Sequence, residues 1–349
     1  MLSRALTVTR KSPKDGDYVR DLGCSKSGSF NDYEDCIVGF MEDQPLVHCD
    51  HDKKCVGCVE SLAHLTLRGV LRGSVGVIGE SRLAMTEKVV LLGGRVCAVK
   101  RFRQVRVGRR EFGKRIQRLA EVSRKCEFLV PVTAYLFAKR IKFVLSDYRP
   151  MGSLADLLAG ARDHGHTALV WNQRLSIIFH ISRAISFIHT QYPPYQKNMM
   201  MHIHGSIKAS NVLVNIDFSA CLSDYGFTQL AEQVEIPETW QVMKSPFWLV
   251  EETNYSDELN QKADIYNFGV ILLDVLAGPR GLSLMKKGTK EKKEAMKFCG
   301  LDLVEFGMKD AKERRQVVKV FDIAVACTNA KRETRPTIEE IYNDIVGIM

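Results

Sequence analysis

Partway along the chain the spacing of apolar residues changes period, and that change restricts the fold more than any other feature. Between Leu67 and Phe143, short β-branched runs alternate with glycine-marked turns: Val89-Val90-Leu91-Leu92, Val96-Cys97-Ala98-Val99, then Ile141-Lys142-Phe143-Val144. Runs of this length bounded by turn residues predict strands of an antiparallel sheet. One helical pattern interrupts them, from Arg109 to Lys125, with Phe112, Ile116 and Leu119 on a single face. After Met151 the spacing is helical. Trp171 to His189 sets Leu175, Ile178, Phe179, Ile181, Ile185 and Ile188 along one stripe, and Asp264 to Leu276 is almost continuously apolar. Val317–Thr328 and Ile338–Ile348 supply two further helices. The predicted fold class is α+β and bilobal. A small antiparallel-sheet lobe with one helix spans about residues 60–148, and a larger, mainly helical lobe about 149–349. With 349 residues, 45% of them hydrophobic, the chain has ample apolar material for such a core. No internal repeat is evident.

Residues 1–43 are polar, punctuated by Gly and Ser, and without sustained periodicity, so they read as a mobile extension to a domain over 44–349. No apolar h-region follows Met1, and no apolar run approaches the roughly 18 residues of a membrane span. Ten cysteines in that setting predict reduced thiols in the cytoplasm. Cys55-x-x-Cys58 beside His48, Cys49 and His51 has the ligand types of a zinc site, but no second pair follows at finger spacing, so no zinc is expected. The net charge of +9 suits an acidic protein, an acidic lipid surface or a nucleic acid. No basic stretch is interleaved with aromatics, so nucleic acid is not expected, and any membrane contact is expected to be peripheral at most. The run Lys286-Lys287-Gly288-Thr289-Lys290 with Lys292-Lys293 reads as a solvated loop. Met199-Met200-Met201 reads as an adaptable packing segment.

Three signatures of phosphoryl transfer occur in order. The first is a glycine-containing stretch, Leu71-Arg72-Gly73-Ser74-Val75-Gly76-Val77-Ile78. Glycines let backbone N–H groups approach a phosphate closely. Here Leu71 stands where the first glycine of G-x-G-x-x-G belongs, so Gly73 and Gly76 form a damaged cradle. The second is Val96-Cys97-Ala98-Val99-Lys100, which points Lys100 at the α- and β-phosphates of ATP with Ala98 against the adenine. The helix that follows should carry a glutamate for that lysine, yet Arg115 stands in its place, and Glu111 lies one turn away. The third is His204-Gly205-Ser206-Ile207-Lys208-Ala209-Ser210-Asn211. The usual His-Arg-Asp has become His-Gly-Ser, and the Ser206 hydroxyl is no general base at neutral pH. Lys208 remains, as does Asn211 as a metal ligand. Ser223-Asp224-Tyr225-Gly226 then offers Asp224 to Mg²⁺ with Tyr225 as an aromatic plug. Glu251 is expected to pair with Arg335 in the interior.

These motifs, with Pro45-Leu46-Val47-His48-Cys49, Asp147-Tyr148-Arg149-Pro150-Met151-Gly152-Ser153-Leu154 and Lys262-Ala263-Asp264-Ile265-Tyr266-Asn267-Phe268-Gly269-Val270, resemble plant leucine-rich-repeat receptor-like kinases over roughly residues 45–349. The resemblance is to the pollen-receptor type and its inactive relatives, without their ectodomain and membrane span. It implies a hinge at Asp147-Tyr148-Arg149, Ser146 as a small gatekeeper, and Leu213 among the nucleotide-lining residues. The joint changes at Leu71, Arg115 and Ser206 predict a pseudokinase that works through a protein partner, another kinase or a receptor complex. The retained Lys100, Asn211 and Asp224 beside a damaged glycine stretch predict weak binding of ATP and Mg²⁺. The alternative is a weak serine/threonine kinase, because Lys100, Lys208, Asn211 and Asp224 all persist.

Overall fold

The structure is a computed structural model. It describes residues 45–49, 65–165, 169–196, 199–231, 255–284, 287–288, 290–292, 294 and 304–349. The expected extension over 1–43, His51, Cys55 and Cys58 of the Cys/His cluster, and Glu251 all lie outside these residues.

The first lobe is a six-stranded antiparallel sheet in the order β1-β5-β6-β4-β3-β2. Its strands are β1 (Val47–His48), β2 (Ser74–Glu80), β3 (Ala84–Val90), β4 (Val96–Phe102), β5 (Val132–Phe137) and β6 (Lys142–Asp147). A one-turn helix, α1 (Leu67–Arg72), precedes β2, with Thr66 Oγ1 accepting from Gly69 N at 3.2 Å as its N-cap. Strand β3 ends at Val90, so Leu91 and Leu92 turn toward Gly93 and Gly94, which take φ of 95° and 84°. No side chain but glycine adopts that conformation freely. Helix α2 (Arg109–Ser123) lies where its periodicity predicts, and buries Phe112, Ile116 and Leu119. Phe112 packs edge-on against Phe102 and Tyr135, with ring centroids 5.8 and 5.9 Å apart.

The second lobe is built from α3 (Leu154–Asp163), α4 (Trp171–His189), α5 (Gln261–Ser283), α6 (Ala311–Cys327) and α7 (Ile338–Val346), with short hairpins β7 (Tyr195–Gln196) with β8 (Met199–Met200), and β9 (Val212–Val214) with β10 (Ala220–Leu222). Helices α3 and α7 start with reciprocal caps, Ser153 with Asp156 and Thr337 with Glu340. Helix α5 is long and apolar enough to cross a membrane, but 78% of that apolar window is buried within the lobe, against α6 and α4. It breaks at Gly278, where φ is 52° and Pro279 follows. Helix α6 begins six residues before its apolar run because Asp310 caps it, accepting from Glu313 N at 2.8 Å. The polar first turns are then used inward: Gln316 Oε1 accepts from Trp171 Nε1 at 2.9 Å.

Three basic residues depart from a solvated reading. Lys292, in the basic run, is buried and donates to Thr328 O and Oγ1, both at 3.0 Å, and burial lowers its pKa. Arg162 bridges Asp274 and Glu305, each at 2.8 Å. Arg174 lies beside them, stacked over Phe306, with burial lowering its pKa to about 10.

Candidate functional site: a nucleotide-type cleft and an altered loop

A cleft of about 390 Å³ opens between the sheet and the helical lobe, within the range of small-ligand sites. Strand register builds it. Ala98 pairs with Ser146 and Lys100 with Val144, and residues two apart on a strand share a face, so Ala98 and Lys100 both turn into the cleft. Ile78, Val132, Val144, Ser146 and Leu213 supply apolar or small walls, while Lys100, Asn211 and Asp224 form the polar end. The Lys100 ammonium forms a close ion pair with the Asp224 carboxylate, both largely buried. Asp224 takes a left-handed φ of 68°, followed by Tyr225 and by Gly226 at 72°. For an aspartate that conformation costs on the order of 1 kcal/mol. It is held by the Lys100 pair on one side. On the other the buried Tyr225 donates its hydroxyl to Met201 O, and Met199 and Met201 close the same wall.

Below the cleft, the buried Asp264 carboxylate on α5 accepts from His204 N at 2.8 Å and Gly205 N at 3.0 Å. This fixes the loop as a rigid turn. Gly205 has φ of 77°, and a Cβ there would lie 2.6 Å from Leu259 and 2.7 Å from Thr228 Oγ1. The place of a side chain is thus already filled. His204 is wholly buried, and burial lowers its pKa, so its Nδ1 accepts from Ser206 N at 3.2 Å. Asn211 Nδ2 donates to Ser206 O at 2.8 Å and to Ser206 Oγ at 2.9 Å. Ser206 and Lys208 line a narrow groove with Ser81, Arg82 and Asp257. Asp257 is the carboxylate of that groove, and it is held by Arg82 Nη2 at 2.8 Å.

The glycine stretch requires correction. Gly73 terminates α1 and sits against the Val90 carbonyl, and Leu71 belongs to α1. Gly76 lies in exposed β2, paired with Lys88, where a Cβ would meet nothing within 4 Å. Leu71, Gly73 and Gly76 do not line the cleft, whereas Ile78 does, followed by Gly79 and Glu80. The turn over the cleft is the β2–β3 hairpin, Gly79-Glu80-Ser81-Arg82-Leu83-Ala84. Small residues recur there at the G-x-G-x-x-G spacing as Gly79, Ser81 and Ala84, and this was the legible signal. The hairpin's amides are occupied: Ser81 N donates to Ala84 O at 2.8 Å, and Ala84 N donates to Ser81 Oγ at 3.2 Å. The Asp147 side chain also leaves the cleft, pairing with Arg95 at 2.7 Å, while Tyr148 and Arg149 line it. Arg115, in place of the glutamate expected to hold Lys100, has its own partners. Glu111 holds it at 2.8 Å, and it donates to Gln229 O at 3.0 Å.

The sequence matches the protein tyrosine and serine/threonine kinase family over residues 69–345. The chain belongs to that family. Similar plant proteins include Probable inactive receptor kinase At3g08680 of Arabidopsis thaliana, 30% identical over 79% of this chain and 43% of the relative. Pollen receptor-like kinase 1 of Petunia integrifolia is 27% identical over 81% of this chain and 38% of its own. The chain spans less than half the length of these receptor-like kinases. Among solved structures, the pseudokinase domain of BIR2, described as an immune regulator of the RLK/Pelle family, superposes with a TM-score of 0.66 at 21% identity, over 88% of this chain and 90% of the other. The maize SIRK1 kinase domain bound to AMP-PNP gives 0.62 at 22%, over 87% and 99%. These two likenesses establish the bilobal kinase fold. Relatives named as inactive kinases recur among the matches.

Proposed function

We propose that this kinase-family chain is a pseudokinase: it retains a weak nucleotide site, has lost phosphoryl transfer, and acts by binding another kinase or a receptor complex. The observation that carries the reading is Ser206, which stands in the loop position of the proton-accepting carboxylate with its hydroxyl bonded to Asn211 Nδ2. An alcohol so placed does not take a proton from a substrate hydroxyl near neutral pH. Asp257, the nearby groove carboxylate, is engaged by Arg82.

Nucleotide is the ligand class the cleft fits, by volume, by its apolar walls and by Lys100 at the polar end. The oxygen donors Asp224 and Asn211 suit Mg²⁺, which would neutralise phosphate charge there. Lys100 would trade its Asp224 pair for phosphate. The hairpin contributes little, since two of its amides are already bonded. The receptor-like kinase relatives favour a cytoplasmic setting, where another kinase or a receptor complex would be met.

Phosphotransfer by purified protein, with Asp224→Ala as control, tests the reading. Activity abolished by that change would sink the pseudokinase and favour the second reading, a weak serine/threonine kinase. The assembled Lys100, Asp224 and Asn211 support that alternative. Nucleotide retention is checked separately by thermal shift with Mg-ATP, where ligand bound to the native state raises the midpoint.

A further inference from the structure

Residues 101–125 hold ten Lys or Arg against two Glu, so this short stretch carries eight of the chain's nine net positive charges. Most of it is β4's end and α2. The inner face of α2 is occupied by Phe112, Ile116 and Leu119, and the charge therefore gathers outside. Arg110, Lys114 and Arg118 recur every fourth residue and form one stripe. Beside the stripe runs a groove of about 220 Å³, lined by Glu111, Lys114, Arg115, Gln117, Arg118, Glu121 and Met199. Glu111 pairs with Arg115 at 2.8 Å and Glu121 with Arg118 at 2.9 Å. Arg110 and Lys114 are exposed and have no salt bridge among the described residues. Arg118 Nε is buried without an acceptor, an arrangement that native structures seldom leave uncompensated.

We infer that this groove on the outer face of α2 docks an acidic segment of a partner protein, one that places carboxylates against the Lys114–Arg118 stripe. The inference rests on the proposal that the chain acts by binding, and it names the surface. Three features select a peptide. The groove is concave, with a volume of about 220 Å³, unlike a flat basic face for lipid. Two built-in carboxylates space the cations apart. No aromatic lines it for stacking of bases. Docking there would also bear on the cleft, since Arg115 donates to Gln229 O and Arg106 N to Leu230 O, just beyond the Asp224 turn.

The test uses the full chain and a fluorescein-labelled Glu-rich peptide, followed by anisotropy. R110Q/K114Q/R118Q is expected to weaken binding about tenfold, and raised salt to weaken the native protein in the same way. A comparison variant, K312Q/R315Q/K319Q, removes the same charge from α6 and should bind as the native protein does. Thermal midpoints of both variants report their folding. Binding unchanged by the α2 variant overturns the proposal, as does equal loss in the α6 variant. So does tighter, α2-dependent binding to phosphatidylserine vesicles or to single-stranded DNA. Phosphotransfer activity would remove the pseudokinase reading and leave the peptide result standing, so the two failures are distinguishable.

Discussion

Ser81→Ala separates what the hairpin does for the fold from what it withholds from a nucleotide. In the native chain the Ser81 hydroxyl accepts from Ala84 N at 3.2 Å and lies 3.2 Å from Ala84 O. A phosphate recruiting the Ala84 amide must first break that bond, which costs about 1 kcal/mol. Removing the hydroxyl leaves the Cβ and the backbone preference intact and frees the amide. Affinity for ATP should therefore rise by about 1 kcal/mol, or roughly fivefold. Adenosine, which has no phosphate, should gain nothing. Stability should move the opposite way, falling by about 1–2 kcal/mol for two lost, partly buried hydrogen bonds. Isothermal titration with Mg-ATP and with adenosine, beside a denaturant melt, measures all three quantities. An unchanged ATP affinity refutes the reasoning, and so does an equal gain for adenosine. Either would mean that the bonded hairpin is not what limits phosphate binding.

Ser206→Asp should not restore phosphotransfer in a radiolabel assay, because the bonded hairpin and the missing glutamate partner for Lys100 remain; activity above background would show that the base alone was limiting. Gly205→Ala should destabilise by about 2 kcal/mol by urea melt, combining a left-handed Cβ penalty with contacts to Leu259 and Thr228. Arg162→Met should cost about 3 kcal/mol at neutral pH, since it leaves the buried Asp274 carboxylate unpaired. Burial already pushes the Asp274 pKa up. A carboxyl raised in the folded state binds its proton there more readily than in the unfolded chain. The deficit of Arg162→Met should therefore shrink as pH falls through the carboxylate range, and a deficit independent of pH would contradict this assignment.

What could be read from the sequence divides along a physical line. Helices α2 and α4 were legible because one side meets a continuous core and the other meets water, and such asymmetry writes a 3.6 period. Lys100, Asn211 and Asp224 were legible because each stands in a fixed spacing within one element. Glycine alone does not mark the hairpin, because Gly73 serves a close approach to Val90 and a Cβ at Gly76 would meet nothing within 4 Å. The informative quantity was smallness at 79, 81 and 84, together with the length of β3. Lys292 misled for a similar reason. Its neighbours are charged, but its own ammonium is satisfied by a carbonyl and a hydroxyl on α6's C-terminal turn, a partnership 36 residues away.

The losses around the cleft are not independent blemishes on an otherwise standard site, because the surrounding groups have closed over them. Gly205 lets Thr228 and Leu259 occupy the space above the loop, Ser206 gives Asn211 a second acceptor, and Arg115 finds Glu111 and Gln229 O. Arg82, at the tip of the hairpin, reaches across to Asp257 on the opposite lobe. Reinstating one of these residues must therefore displace a group that has taken its place. The Arg82–Asp257 pair is largely exposed and so contributes at most about 1 kcal/mol between the lobes, whereas the contacts around Gly205 are buried.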